Sequence, residues 1–141
     1  MNFKLEDKVY ALEIDLNQLY ANKRLRAKIG YTTKDINKRI SGFRMSGNLK
    51  GKEHLIKKVF VSKSILAKSI ERIATEIAIV RGYERVNDKN LGLGYTEWFY
   101  VSGEQIKSCI LQAYRIVNKQ IKRGKNGKKK TPKRDNLSLV I

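Results

Sequence analysis

The chain has 141 residues, of which 41% are hydrophobic and 9% aromatic, so its composition suits one folded domain with a buried core. Lys and Arg number 31 against 13 Asp and Glu, which gives a formal net charge of +18. This excess predicts a polyanionic partner, and nucleic acid fits better than an anionic membrane because no segment combines a basic face with a broad apolar one. The apolar runs are too short to span a bilayer, and the N-terminal sequence lacks the apolar core of a signal peptide.

Cysteine usage indicates a reducing compartment. Cys109 is the only cysteine, which excludes an internal disulfide and a multi-cysteine zinc site. It falls in an apolar helical pattern, so we expect it to be buried and inert. A cytosolic location is therefore the expectation.

The positive charge is concentrated near the C-terminus. The segment 119–134 holds 9 of the 31 cations and no acid. We predict that residues 1–122 form the folded domain, and that residues 123–141 form a basic tail, flexible over 123–136. This tail is expected to bind phosphates without sequence preference, or else to act as a solubilising or localising segment, and its final LSLVI either docks as a strand or frays. The cations expected to contact nucleic acid here are Lys119, Lys122, Arg123, Lys125, Lys128, Lys129, Lys130, Lys133 and Arg134.

The first half of the chain predicts two strands and a helix. Residues 8–14, KVYALEI, and residues 26–32, RAKIGYT, are typical of strands and would pair most economically as a hairpin. Thr32 or Thr33 is expected to cap the helix that follows, with Asp35 in its first turn. The core-facing positions of this helix, at i, i+4 and i+7, are Ile36, Ile40 and Phe43.

The second half predicts a strand at 55–62, a long helix, a short strand or turn at 96–101 and a last helix at about 104–122. Ser62 or Ser64 is expected to cap the long helix, and Arg81-Gly82 to end it. The predicted apolar seams are Leu66, Ile70, Ile73, Ile77 and Val80 in the long helix, and Ile106, Ile110, Tyr114 and Val117 in the last. This order predicts an α+β fold with a small, mainly antiparallel sheet of about three strands packed with helices.

Several kinds of active site are excluded by the residues present. His54, the only histidine, lies in a Gly/Lys-rich loop with no Cys or His nearby, which excludes a zinc centre. The stretch GNLKGK lacks the spacing of a Walker loop, and the GLG at 92–94 does not open a helix. No Ser or Cys has a plausible histidine partner for acyl transfer.

Two charged side chains stand beside the predicted core stripes of helices. Arg39 lies next to Ile40, so its guanidinium could reach a phosphate along the sheet, a solvated or salt-bridged arginine being the ordinary alternative. Glu71 has no cation at i+4 and only Lys68 nearby, so a helix ion pair explains it poorly. Its neighbours on that helix face are Ala67, Ala74 and Ala78, small side chains that would leave room for a metal ion and a bulky substrate.

A phenol and an ammonium occupy the two strands of the predicted hairpin. Tyr10 and Lys28 would share one face of it, with Tyr31 at its exit, although a strand tyrosine usually serves packing. A lysine inside an apolar run is harder to explain by packing, because a buried ammonium requires a partner or a function.

The blocks KVYALEI, KIGYTTKDINKR, SIERIATEI and YTEWFYV, in that order over about residues 8–101, resemble the GIY-YIG endonuclease superfamily. The resemblance is nearest to its phage and mobile-element branch with K-I-G-x-T and E-W-F motifs. Lys28 stands where that family usually has tyrosine, and Phe43 where a histidine is often found. The glycine of the first motif is replaced by Lys8. Three residues, Asn87, Asn90 and Glu97, compete for the position of the family's asparagine.

The resemblance implies hydrolysis of a DNA phosphodiester with one Mg²⁺ or Mn²⁺ ion per active site. It assigns catalysis to Tyr10, Lys28, Tyr31, Arg39 and Glu71, with Glu71 as the metal ligand. Arg39 would stabilise the non-bridging oxygens, and Tyr10, its pKa lowered by Lys28 and the metal, would deprotonate the attacking water. We expect these groups to converge in one shallow basic cleft.

The expected partner is DNA, and no membrane association is expected. A homodimer is one way in which so small a domain could enlarge its recognition surface. Arg44 is expected to add a further nucleic-acid contact. If the chain is phage-encoded, the location would be the host cytosol. The first alternative is a catalytically inactive DNA-binding module of the same fold, and the second is an RNA-binding protein of ribosomal type.

Overall fold

The computed structural model describes residues 7–16, 25–92 and 95–126, and for Thr96 and residues 123–126 it describes the backbone alone. Its strands are β1 (Lys8–Asp15), β2 (Leu25–Thr32), β3 (Lys57–Lys63) and β4 (Trp98–Phe99). Its α-helices are α1 (Ile36–Ser41), α2 (Ala67–Val80) and α3 (Gly103–Asn126). Short 3-10 turns lie at Gly47–Leu49, Glu53–Leu55, Lys89–Leu91 and Tyr95–Glu97.

The strands form one antiparallel sheet in the order β3-β1-β2-β4. The predicted hairpin is confirmed, because Tyr10 pairs with Gly30 and Leu12 with Lys28 between β1 and β2. The third predicted strand pairs with the other edge of β1, and the short segment before α3 pairs with β2 as the two-residue β4. The predicted α+β class is therefore confirmed, with a small fourth strand completing the sheet.

One face of the sheet is covered by α2 and α3. The side chains that meet there are small or β-branched aliphatic groups on the strands and alanines and isoleucines on the helices, which lets the two layers approach closely. The strands contribute Val9, Ala11, Ala27 and Ile29; α2 contributes Ala67, Ile70, Ala74, Ile77 and Ala78; and α3 contributes Ile106, Cys109, Ile110, Ala113 and Val117.

The opposite face is covered by α1 and by the irregular segments between α1 and β3 and between α2 and β4. Its core is richer in large side chains, and the rings of Phe43 and Trp98 meet edge to face at a centroid distance of 6.2 Å. Its buried members are Tyr10, Leu12, Ile14, Leu16, Ile36, Phe43, Met45, Leu49, Ile56, Val86, Leu91 and Trp98. Strand alternation therefore divides neighbouring residues of β1 between two separate cores.

Both predicted helix caps need correction. Asp35, not Thr32 or Thr33, caps α1, and its carboxylate accepts hydrogen bonds from the backbone N–H groups of residues 37 and 38. Neither predicted serine is the cap of α2, whose cap residue is Leu66. Ser64 instead accepts a hydrogen bond from the Leu66 backbone N–H with its hydroxyl.

The predicted apolar seam of α2 is confirmed except at its C-terminal end, since Leu66 and Ile73 also pack, partly buried, against the same core. Ile70 and Ile77 are buried as expected, whereas Val80 is 56% exposed. The alanines next to Glu71 were expected to leave room for a metal ion and substrate. They are instead buried against the sheet and α3, where they allow close packing. The predicted end of the helix is confirmed, since Arg81 is the C-cap and Gly82 follows with φ of 83°.

Helix α3 packs as its periodicity predicted, with Cys109 buried in its apolar stripe as expected and the Tyr114 hydroxyl 2.6 Å from Ser62 Oγ on β3. Arg81 ties the two long helices together, donating to Gln112 Oε1 at 2.6 Å. The backbone of α3 continues to Asn126, four residues beyond the predicted limit of the folded domain, and residues 127–141 with LSLVI lie outside the described part. Within the described ranges, no helix is long and apolar enough to cross a membrane.

Candidate active site

Tyr10 lies at the centre of the face opposite the two long helices. Its ring crosses the backbone of Gly30 so closely that a Cβ built there would stand 2.1 Å from Tyr10 Cζ. Only glycine fits beneath this ring, which gives the glycine of the K-I-G stretch a steric reason. The Tyr10 hydroxyl is buried and has no hydrogen-bond partner among the described residues. Such an orphaned hydroxyl is costly, so it marks the position as one with a purpose beyond packing.

Lys28 is buried two residues before that glycine. Its side chain is 1% exposed, and its Nζ lies 2.8 Å from Glu97 Oε1, with the glutamate half exposed. The ammonium also lies 5.1 Å from the centroid of the Phe43 ring and 6.0 Å from that of Tyr10. Burial lowers the pKa of Lys28, and the Glu97 carboxylate opposes that change.

Arg39 reaches the same face from the last turn of α1. Its guanidinium lies 4.9 Å from the Phe43 ring centroid, on the ring that also contacts Lys28. Burial raises the pKa of Tyr10, and the Arg39 charge opposes this most strongly, although the two side chains do not meet the geometry of a hydrogen bond. Arg39 is therefore the cation that most favours the phenolate form of Tyr10.

Glu71 comes from α2, in the layer packed on the other face of the sheet. Its carboxylate is half-buried and makes no hydrogen bond or ion pair within the portion of the chain that the structure describes. Burial raises the pKa of Glu71, and the Glu97 charge raises it further against the opposing effect of Lys28. Glu71 also lines an open pocket of about 480 Å³ along α2, together with Lys68, Ser69, Arg72, Thr75 and Glu76.

These side chains come from five segments of the chain, and their charges influence one another's pKa values. Glu97 and Glu71 both contribute to the raised pKa of Tyr10, and both oppose the lowered pKa of Lys28. Glu71 therefore belongs to the same electrostatic cluster although its helix lies on the opposite layer. We define the site cluster as Tyr10, Lys28, Arg39, Glu71 and Glu97.

Two expectations about this site are corrected. Lys28 was expected to lower the pKa of Tyr10, yet that pKa is raised by burial and the opposing cation is Arg39. The ammonium is instead engaged by Glu97. Tyr31 was expected to converge with Lys28 and Arg39, but it packs against the core on the helix-covered face, because it is an odd number of positions from Lys28 along β2.

The predicted nucleic-acid contacts are only partly described. Arg44 is exposed, with a positive φ of 51°, and follows Phe43 of the site. Lys119 and Lys122 are exposed on α3. Arg123 and Lys125 lie on its backbone extension, and Lys128, Lys129, Lys130, Lys133 and Arg134 fall outside the described residues.

Sequence reasoning named Glu97 only as one of three candidates for one motif position. Of the three, Asn87 is exposed, Asn90 packs against the loop at Ser46 and Gly47, and Glu97 contacts Lys28. The available signal was the buried lysine itself, which required a carboxylate from elsewhere in the chain. The partner could not be named because 69 positions separate the two residues.

The chain is a small α+β protein with a four-stranded antiparallel sheet and a strong excess of positive charge, a fold consistent with small nuclease-like domains. A family model, the T5orf172 domain, matches residues 8–113. The chain therefore belongs to the T5orf172 domain family, a phage-associated nuclease-like domain related to GIY-YIG and HNH-type endonucleases. Neither the curated proteins nor the solved structures contain a significant match.

Proposed function

We propose that this protein is an endonuclease that hydrolyses DNA phosphodiester bonds with the help of one Mg²⁺ or Mn²⁺ ion. The observation that carries the proposal is the buried, unpartnered Tyr10 hydroxyl beside a guanidinium and within the field of two carboxylates. The nuclease-like family and the net charge of +18 support the same reading. The chemistry fits GIY-YIG enzymes better than histidine-dependent ones, because the only histidine, His54, is exposed and hydrogen-bonded to a loop carbonyl.

Glu71 would hold the metal ion. Mg²⁺ keeps several waters and needs one or two carboxylates, which suits a half-buried glutamate that is engaged by no other described side chain and faces an open pocket. The fit does not depend on a larger ligand cluster, and no group of three or more His, Cys, Asp or Glu suited to a metal occurs in the described ranges. When bound, the ion would offset negative charge on the phosphate and on the leaving oxygen.

Arg39 would bind the scissile phosphate. A guanidinium offers a fork of donors to two non-bridging oxygens, and Phe43 beneath it limits the directions in which the fork can point. Donors fixed before the reaction stabilise the charge that grows on those oxygens in the transition state. Replacing Arg39 with Lys would keep the charge and lose the fork.

Tyr10 would take the proton of the attacking water. Its raised pKa means that the neutral phenol predominates at neutral pH and that only a small fraction is phenolate. Cleavage should therefore increase about tenfold for each pH unit across the neutral range, since the phenolate fraction grows in that proportion. Arg39 is the cation that favours the phenolate form.

Outside the site, positive side chains would hold the flanking duplex. Arg44 stands next to the site, and Lys119 and Lys122 are exposed on α3. The basic segment beyond residue 126 would add phosphate contacts without sequence information. This arrangement predicts strong dependence of DNA affinity on salt concentration.

The test is plasmid cleavage by the wild-type chain and by Glu71→Ala, each with Mg²⁺ and with EDTA. The matched control is Glu76→Ala, an exposed glutamate on the same helix. We expect nicking or linearisation by the wild type and by the control with Mg²⁺ alone, and none by Glu71→Ala. Cleavage in EDTA, or equal cleavage by Glu71→Ala, would contradict the proposal.

A catalytically inactive DNA-binding module is the second candidate. It is favoured by Lys28, which stands in the position of the family's tyrosine and is engaged by Glu97, and by Phe43 in the position of a frequent histidine. This candidate predicts that wild type and Glu71→Ala bind duplex DNA equally and that neither cleaves it. Tighter binding to structured RNA than to duplex DNA in a competition assay would contradict both candidates.

A further inference from the structure

Lys28 is the most deeply buried charged group of the site cluster, and its surroundings determine what it can do. The described groups that face it are the Glu97 and Glu71 carboxylates, the Arg39 guanidinium and the rings of Tyr10 and Phe43. Only Glu97 is in direct contact with the ammonium, at 2.8 Å. Because the Lys28 side chain is only 1% exposed, water cannot solvate the ammonium and a diffusing anion cannot pair with it while Glu97 covers it.

The contact depends on the way in which β4 joins the sheet. Trp98 is the strand partner of Lys28, and Glu97 immediately precedes Trp98 at the end of a 3-10 turn. Trp98 is buried in the same core as Tyr10, so the backbone that carries Glu97 is anchored. The half-exposed carboxylate is therefore held between the buried ammonium and solvent.

We propose that Glu97 is a positioning residue of this site, whose carboxylate fixes the Lys28 ammonium beneath Tyr10 and Arg39 so that the phosphate-binding and water-activating groups keep one arrangement. The inference rests on the proposed endonuclease activity. Glu97 acts through Lys28 and does not itself touch the substrate. Without the carboxylate, the buried ammonium would lose its direct counter-charge and would either move toward solvent or lose its proton.

Kinetics can distinguish this role from that of a structural clasp, meaning a Glu97–Lys28 ion pair that only anchors β4. A clasp that only anchors β4 would change the unfolding temperature and leave turnover of the folded protein unchanged. A positioning residue changes the transition state more than substrate binding, so kcat falls while KM changes little. Its effect also depends on whether Lys28 is charged, which ties the loss of activity to pH.

The experiment compares wild type, Glu97→Gln, Glu97→Asp and the control Glu104→Gln, which alters an exposed glutamate on α3. Initial rates of Mg²⁺-dependent cleavage of a supercoiled plasmid are measured from pH 6 to pH 9, with thermal unfolding and DNA affinity in EDTA. We expect kcat of Glu97→Gln to fall at least about tenfold, KM to stay within about threefold, and the deficit to grow with pH. Glu97→Asp, which keeps the charge, should recover part of kcat.

A second readout does not require cleavage. The ¹³C chemical shift of Lys28 Cε, assigned with Lys28→Met, reports whether the amine is protonated in the metal-free protein. We expect it to titrate at a lower pH in Glu97→Gln than in wild type, and at an unchanged pH in Glu104→Gln. This readout identifies Glu97 as the counter-charge of Lys28 independently of any enzymatic activity.

The outcomes separate the two proposals. If wild type and Glu71→Ala behave as an active and an inactive enzyme while Glu97→Gln keeps wild-type kcat, the role of Glu97 is overturned and the endonuclease stands. An unchanged Lys28 titration in Glu97→Gln overturns it as well. If the wild type cleaves nothing with either metal, the proposed function falls and takes the role of Glu97 in turnover with it, whatever the titration shows.

Discussion

The two faces of the sheet differ in what they bury. The face under α2 and α3 contains alternate strand residues that are small and aliphatic, such as Val9, Ala11 and Ile29, and its contacts are close and apolar. The other face buries the large rings of Tyr10, Phe43 and Trp98 around the ammonium of Lys28, and it leaves the Tyr10 hydroxyl without a described partner. Adjacent residues of β1 therefore lie in two cores of different composition.

Both faces contain an apolar core, but the site face also buries polar groups that oppose folding. Apolar burial on the helix side is favourable at every position. On the site side, a buried ammonium and an orphaned hydroxyl each oppose folding and persist only because the remaining contacts outweigh them. Loss of apolar packing on either face should lower stability, whereas removal of the unpartnered Tyr10 hydroxyl on the site face should raise it, and cleavage should depend mainly on the site side.

The largest expected change in stability comes from the helix side. Ile77→Ala removes a buried side chain between α2 and its neighbours and should lower the free energy of unfolding by about 2–5 kcal/mol, because the lost transfer energy adds to the cost of a cavity. Ile79 lies on the same helix but is 49% exposed, so Ile79→Ala should change the free energy of unfolding by no more than about 0.5 kcal/mol. Urea unfolding of both variants measures the difference, and similar losses for the two would contradict the assigned burial of α2.

Gly30→Ala tests the tightest contact on the site face, which is between Gly30 and its strand partner Tyr10. The added methyl group would collide with the ring of Tyr10, so the ring must move, and we expect a loss of about 1–3 kcal/mol together with loss of cleavage. Gly42→Ala is the control, because its Cβ would lie 3.5 Å from the nearest atoms, the backbone oxygens of Lys38 and Arg39, at an ordinary φ of −80°. Wild-type stability and activity of Gly30→Ala would show that Tyr10 does not occupy this position.

The elements of the fold could be predicted because each has a local pattern. The strands at 8–14 and 26–32 and the buried isoleucines of α2 and α3 follow from periodicity alone, and each is confirmed. The caps were missed because Thr32 and Asp35 are both good capping residues, and only the backbone path selects between them. The apolar seam of α2 was wrong only at Val80, which matches the helical spacing but is exposed in the last turn.

The site could be predicted only as a set of candidate residues. The resemblance in sequence order selected Tyr10, Lys28, Arg39 and Glu71, and their catalytic roles remain a prediction. Neither the side of the sheet on which α2 packs nor the partner of Lys28 has a local signal, because both depend on contacts between distant segments. For the same reason, the direction of the pKa change of Tyr10 was missed, since burial is a property of the whole fold.

Tyr10→Phe should separate the stability of the site face from its activity. Removing a buried hydroxyl that has no described partner should raise the free energy of unfolding by about 1 kcal/mol, while cleavage is lost. Tyr114→Phe is the matched control, because that hydroxyl is hydrogen-bonded to Ser62, and its loss should cost about 0.5–1.5 kcal/mol without affecting cleavage. Destabilisation by both substitutions would mean that Tyr10 has a hydrogen-bond partner in solution.

The smallest expected effect is a pH-dependent gain in stability from Glu71→Gln, measured in EDTA. Burial and the Glu97 charge raise the pKa of Glu71 above its ordinary value of 4.5, so the folded protein holds this proton more tightly than the unfolded chain does. Its contribution to stability therefore falls as pH rises from 4.5 through the raised pKa. Glu71→Gln should then unfold at a higher temperature than wild type at pH 7.5, with the difference shrinking toward pH 4. Glu76→Gln, exposed on the same helix, should show no comparable gain, and a Glu71→Gln difference independent of pH would remove the argument that ionised Glu71 is destabilised in the absence of a metal ion.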